Sequence, residues 1–103
     1  MNEKKILEAA IAKWGVEEQL IMLSEECSEL SQAALKYRKS LKYNLCAEKV
    51  TKSFDNLTEE IADVEIMIEQ MRLAFRIDNI EELVPKFRSQ KLERLAKILK
   101  VKQ

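Results

Sequence analysis

Two groups of acids, Glu25-Glu26-Cys27-Ser28-Glu29 and Glu60-Ile61-Ala62-Asp63, are the residues of this chain best placed to do chemistry, and each lies in a strongly helical stretch. Carboxylates three apart on a helix project from neighbouring points of one face. Two such pairs on packed helices gather four carboxylates round one small space, where they repel unless a hard cation sits among them. The chain has no histidine. That excludes Ser-His-Asp and Cys-His catalysis, and also the histidine ligands of di-iron bundles and zinc hydrolases. Its only glycine, Gly15, rules out a glycine-rich phosphate loop. An all-oxygen site remains, which suits Mg²⁺ or Mn²⁺.

Helical periodicity separates inward acids from solvated ones. Over the predicted helix 57–76, Leu57, Ile61, Val64, Met67, Ile68, Met71, Ala74 and Phe75 define an apolar arc about 140° wide. Glu60 falls inside it with Val64, Met67 and Met71, and Asp63 lies on its edge. Glu59, Glu65 and Glu69 point elsewhere. Over the predicted helix 16–39 the apolar stripe is Leu20, Leu23, Cys27, Leu30 and Ala34. Glu26 borders that face beside Met22, Ala33 and Tyr37, with Gln19 on the same line; Glu29 continues it one turn on, and Glu25 sits on its outer side.

A carboxylate buried without a partner costs several kcal/mol or becomes protonated, so these acids require a cation. The last helix offers Lys91 between Phe87, Leu95 and Ile98, flanked by Arg88 and Arg94. One reading is therefore a buried salt-bridge cluster without metal or chemistry, in a silent helical oligomer that serves binding or assembly. The other is a divalent metal with a phosphate-bearing ligand, which balances an excess of inward acids over inward bases.

The elements that must hold these residues follow from composition. The chain of 103 residues is one domain, 1–103, and a single Gly and a single Pro leave it nearly all helical. The expected fold is all-α, a small bundle of four to five helices. Gly15 is a natural left-handed stop for an opening helix from about Glu3 to Trp14. Residues 40–56 read as a loop with room for a short helix after Asn44. Asp55 or Asn56 caps the next helix. Asn79 with Glu82 forms a capping box, and Pro85 suits the first turn of a last helix ending near Leu99.

Charge is unevenly spread beneath a formal net of zero: Asp55 to Glu69 holds six acids and no base, and Lys86 to Gln103 holds seven bases against Glu93 alone. Acidic faces and scarce aromatics argue against nucleic acid as partner. No apolar run can span a bilayer, and Glu8 and Lys13 interrupt any signal-peptide core, so a cytoplasmic location is expected. Cys27 and Cys46 match no metal or redox spacing and read as reduced structural thiols.

The run Gln19-x-x-Met22-Leu23-x-Glu25-Glu26-x-x-Glu29-Leu30, followed by Glu59-Glu60-Ile61-Ala62-Asp63-Val64, resembles the MazG-like all-α nucleoside triphosphate pyrophosphohydrolases. Their signature is Glu-Glu-x-x-Glu, a spacer, then Glu-x-x-Asp. The closing Lys91-Leu92-x-Arg94-Leu95 is also similar to that family's last helix, so the likeness runs from about Gln19 to Ile98. The resemblance implies Mg²⁺ held by Glu26, Glu29, Glu60 and Asp63, and cleavage of a nucleoside triphosphate between its α- and β-phosphates. It further implies a homodimer or homotetramer whose site draws on more than one subunit. Within that frame Glu25 is the candidate to orient the attacking water, Lys91 and Arg94 to hold outer phosphates, and Gln19 and Trp14 to contact the base. A related enzyme acting on another diphosphate, such as a phosphoribosyl-nucleotide, is a further reading.

Overall fold

A computed structural model describes residues 1–102 as three long helices and no strand. Helix α1 runs Glu3–Lys42, α2 Ala47–Ala74 and α3 Ile80–Leu99, with a 3-10 turn at Arg76–Asp78 before α3. Asn2 starts α1 by accepting the Lys5 amide on its side-chain oxygen at 3.1 Å. Gly15 ends the opening helical stretch, as expected, and the range given for α1 joins two helices across a kink there. Its φ of 82° and ψ of 161° fall in a region open essentially to glycine, and the helix resumes at once on a new axis.

The loop expected over 40–56 is corrected to four residues, Tyr43 to Cys46, and Asp55 and Asn56 lie inside α2 rather than at its cap. Local hydrogen bonds explain how so polar a stretch stays helical. Ser53 donates to the Val50 carbonyl at 3.0 Å and Thr58 to the Asp55 carbonyl at 2.8 Å. The Ser53 hydroxyl also lies 3.1 Å from that of Ser40 across the helix pair, an alternative acceptor for its single proton, and Tyr37 meets Phe54 with ring centroids 5.4 Å apart. The capping box at Asn79 does not form: Asn79 is left-handed and its side chain caps nothing. Pro85 sits in the second turn of α3, not the first.

Helices α1 and α2 form an antiparallel hairpin with a seam of period 3.5. On α2 the inward positions are Val50, Ser53, Leu57, Glu60, Val64, Met67 and Met71, alternating steps of three and four. On α1 they are Gln19, Leu23, Glu26, Leu30, Ala33, Tyr37 and Ser40. The predicted apolar stripe of α1 is thus rotated: Leu20, Cys27 and Ala34 face outward, and the more polar Gln19 and Ser40 are buried. Core residues are few, namely Leu7, Ala33, Val64, Met67 and Met71. Helix α3 buries none of its residues; it packs chiefly on the 3-10 turn and meets the hairpin through the Arg72–Glu81 ion pair at 3.4 Å.

Candidate metal centre

The seam puts the acids where two helices face each other. Glu26 of α1 and Glu60 of α2 occupy inward positions of the hairpin, and Glu29 and Asp63 flank them on the same side. One carboxylate oxygen from each of Glu26, Glu60 and Asp63 lies within 4.8 Å of the others. Glu29 lies outside that trio but near enough for its charge to act on both Glu26 and Glu60. This is the four-carboxylate grouping expected from spacing alone, with Glu29 standing slightly apart from the tight trio.

Among the described residues no lysine or arginine pairs with the cluster. The ion pairs among the described residues are Lys4–Glu8, Arg72–Glu81 and Arg76–Glu8, and none reaches it. One oxygen of Glu26 and one of Glu60 are shielded from water and lack any hydrogen-bond partner. Burial, followed by the like charges of Glu29 and Asp63, pushes the Glu60 carboxyl above its ordinary value of 4.5. Glu26 is raised by the same causes in the same order, with Glu60 adding to them. The shielding is local. Single oxygens are closed off, while Glu26 and Glu60 remain half-buried and Asp63 exposed.

The donor set fits a hard divalent ion. All ligand atoms are carboxylate oxygens, and the trio's spread approaches the roughly 4.2 Å between opposite oxygens of an octahedral Mg²⁺. The orphaned oxygens of Glu26 and Glu60 are the groups such an ion would satisfy. No family model, curated protein or solved structure matches this chain.

The remaining expected residues are dispersed. Glu25 is exposed one position before Glu26, outside the trio. Lys91 and Arg94 are exposed on α3, and the chain does not bring them to the acids. The salt-bridge cluster with Lys91 is thus not formed within one chain. Its cause is topological, since α3 leaves the hairpin at the 3-10 turn and does not return along it.

Trp14 is half exposed beside the Gly15 kink, with the Lys13 ammonium 5.2 Å from its ring centroid. Gln19 is completely buried, its amide nitrogen 3.7 Å from the Met22 sulfur and its oxygen unpartnered. Gln19, the expected base contact, is thus closed to solvent in the single chain.

Gln70, which periodicity of 3.6 left unassigned, is a second buried amide with an orphaned oxygen. A 3.5-residue repeat puts it beside Met67 and Met71 on the same flank as Asp63, and that repeat was the signal that could have found it.

Proposed function

We propose that this chain is a Mg²⁺-dependent nucleoside triphosphate pyrophosphohydrolase that releases a nucleoside monophosphate and pyrophosphate, as the motif resemblance implies. The observation that carries the reading is the cluster of Glu26, Glu29, Glu60 and Asp63, which no lysine or arginine among the described residues neutralises and whose buried oxygens lack partners. Such an arrangement is unfavourable by itself and becomes favourable with a divalent cation and an anionic ligand. Mn²⁺ can replace Mg²⁺ on the same oxygens.

Glu26, Glu60 and Asp63 would hold the metal directly, and Glu29 completes the set. A bound divalent ion supplies charge neutralisation and alignment of the phosphates for in-line displacement. Glu25, exposed at the edge of the cluster, orients the attacking water and accepts its proton, since the chain has no histidine for that task. Lys91 and Arg94 hold the outer phosphates from a neighbouring subunit's α3, which makes the working form a homodimer or homotetramer and completes the helical bundle. Trp14 offers its exposed ring to the base. No helix is long and apolar enough to cross a membrane among the described residues; with that, a cytoplasmic enzyme acting on free nucleotides is the setting proposed.

The test is direct. Purified protein incubated with a panel of canonical and oxidised nucleoside triphosphates and Mg²⁺ should release pyrophosphate and the matching monophosphate, and EDTA should stop it. No pyrophosphate from any base or sugar would favour the silent, salt-bridged oligomer. Release from a phosphoribosyl-nucleotide alone would move the substrate class.

A further inference from the structure

The opening helical stretch, 3–14, packs on α2 and encloses a second acidic site with it. Ile6 and Leu7 share a cleft with Ile66 and Gln70 of α2, and Glu8 and Ile11 share another hollow with Leu73 and Ile77. The stretch therefore folds back at Gly15 and runs beside α2 in the same direction. The first of these clefts has a volume of about 370 Å³, within the range of small-molecule sites. None of Glu26, Glu29, Glu60 and Asp63 lines it.

The walls and the rim of this cleft differ in kind. Ile6, Leu7, Ala62 and Ile66 are apolar, and Glu3, Glu65 and Glu69 add three carboxylates. No lysine or arginine lines the cleft, and none of the three acids is ion-paired among the described residues. Glu65 and Glu69 stand four apart on one helix, where like charges repel.

Exposed acids alone are an ordinary solvated surface. Gln70 makes the difference. It also lines the cleft and is only 7% exposed, and its amide oxygen is shielded from water without a hydrogen-bond partner. A buried carbonyl left in that state is unfavourable until a donor reaches it. The last torsion of a glutamine is broad and two-fold, so a half-turn exchanges oxygen and nitrogen; here it breaks no hydrogen bond to the oxygen.

We infer that this cleft binds a primary aliphatic amine. The ammonium donates to the Gln70 oxygen and to the carboxylates, and a short alkyl chain lies against the isoleucine walls. An ammonium brings three donors and one positive charge, and its stem covers apolar surface. A bare metal ion suits the cleft less. Among the described residues only Glu26, Glu60 and Asp63 gather carboxylate oxygens within 4.8 Å, and Glu3, Glu65 and Glu69 do not. A ligand long enough to bridge separate acids is required, and a diamine meets that need. The site is independent of the pyrophosphohydrolase reading.

Amide NMR spectra of the metal-free chain titrated with 1,4-diaminobutane test the proposal. Sodium chloride and tetramethylammonium chloride at matched ionic strength are the comparison, since tetramethylammonium has the charge but no N–H. The diamine should shift the Gln70 side-chain amide and the backbone amides of Leu7 and Ile66 along a saturating curve, and neither salt should. Gln70→Leu, which keeps the bulk and removes the acceptor, should weaken binding about tenfold. Glu60→Gln should leave it unchanged. Should Gln70→Leu fail to fold, the surface variant Glu65→Gln with Glu69→Gln decides the matter, with an expected weakening of at least about fivefold. Shifts that tetramethylammonium reproduces, a response that does not saturate, or a folded variant of undiminished affinity would overturn the proposal. So would shifts confined to Glu26, Glu29, Glu60 and Asp63, which would make the diamine a counter-ion of the metal centre alone. A chain that releases no pyrophosphate leaves the amine site standing, and a chain that binds no amine leaves the metal site standing.

Discussion

Helices α2 and α3 are both amphipathic, both charged, and opposite in fate. Helix α2 buries Val64, Met67, Gln70 and Met71 against α1, whereas α3 buries nothing. The difference lies in where each places its charge. In α2 the seam admits one acid, Glu60, and keeps its other acids outside; in α3 the apolar arc of Val84, Phe87, Leu95 and Ile98 is interrupted by Lys91 and flanked by Arg88 and Arg94. A helix whose apolar stripe carries bases needs a partner that carries acids. The hairpin has them, but the chain's own turn directs α3 away. Amphipathicity shows that a helix has a face to cover, and topology decides what covers it.

That contrast is sharpest at the acids. Glu60→Gln should lower kcat for pyrophosphate release more than about 100-fold, since loss of a metal ligand exceeds the usual cost of losing a group behind one. The metal-free variant should melt at or above the wild-type temperature, because repulsion in the cluster is relieved. A marked loss of stability would show instead that Glu60 has a basic partner that one chain does not supply.

The next largest effect is expected at the kink. Gly15→Ala meets no steric neighbour, since nothing lies within 4 Å of an added side-chain carbon, but φ of +82° is strained for any L residue. A loss of about 1–3 kcal/mol in denaturant unfolding is expected, and a neutral result would mean that the kink is not held in solution.

On α3, Lys91→Ala with Arg94→Ala should raise KM roughly tenfold by removing phosphate contacts. The melting temperature of the dilute protein should stay unchanged, as neither residue is buried in the chain. Equal losses of KM and stability would place α3 in the fold rather than at the substrate.

The smallest effect is on pH. The folded carboxyls of Glu26 and Glu60 titrate above their ordinary 4.5, so the native state binds more protons than the unfolded state in the window just above that value. Stability of the metal-free protein must then fall as pH rises through it. Melting curves from about pH 5 to about pH 7.5 should show this decline, and it should shrink in Glu60→Gln and on adding Mg²⁺.

Much of this arrangement was legible in the residues. The all-helical class, the break at Gly15, and the convergence of Glu26, Glu29, Glu60 and Asp63 follow from composition and three-residue spacing. What misled was the period. A wheel of 3.6 residues per turn makes Leu20, Cys27 and Ala34 the inner stripe of α1, while the hairpin runs on 3.5 and buries Gln19 and Ser40 instead. Ser53 and Asn56 read as loop because their side chains favour turns in isolation. In the hairpin the Ser53 hydroxyl has Val50 of its own helix and Ser40 of α1 as alternative acceptors, which offsets that preference. The course of α3 is set at the turn by a left-handed Asn79, where the spacing to Glu82 had pointed to a capping box instead.

The central claim is that the inward acids exist to hold a divalent ion. Crystals soaked in Mn²⁺ and measured at the manganese absorption edge test it most directly. The account predicts an anomalous peak between Glu26, Glu60 and Asp63 that vanishes in Glu60→Gln. An empty cluster bridged by lysine or arginine side chains of a neighbouring copy would contradict it.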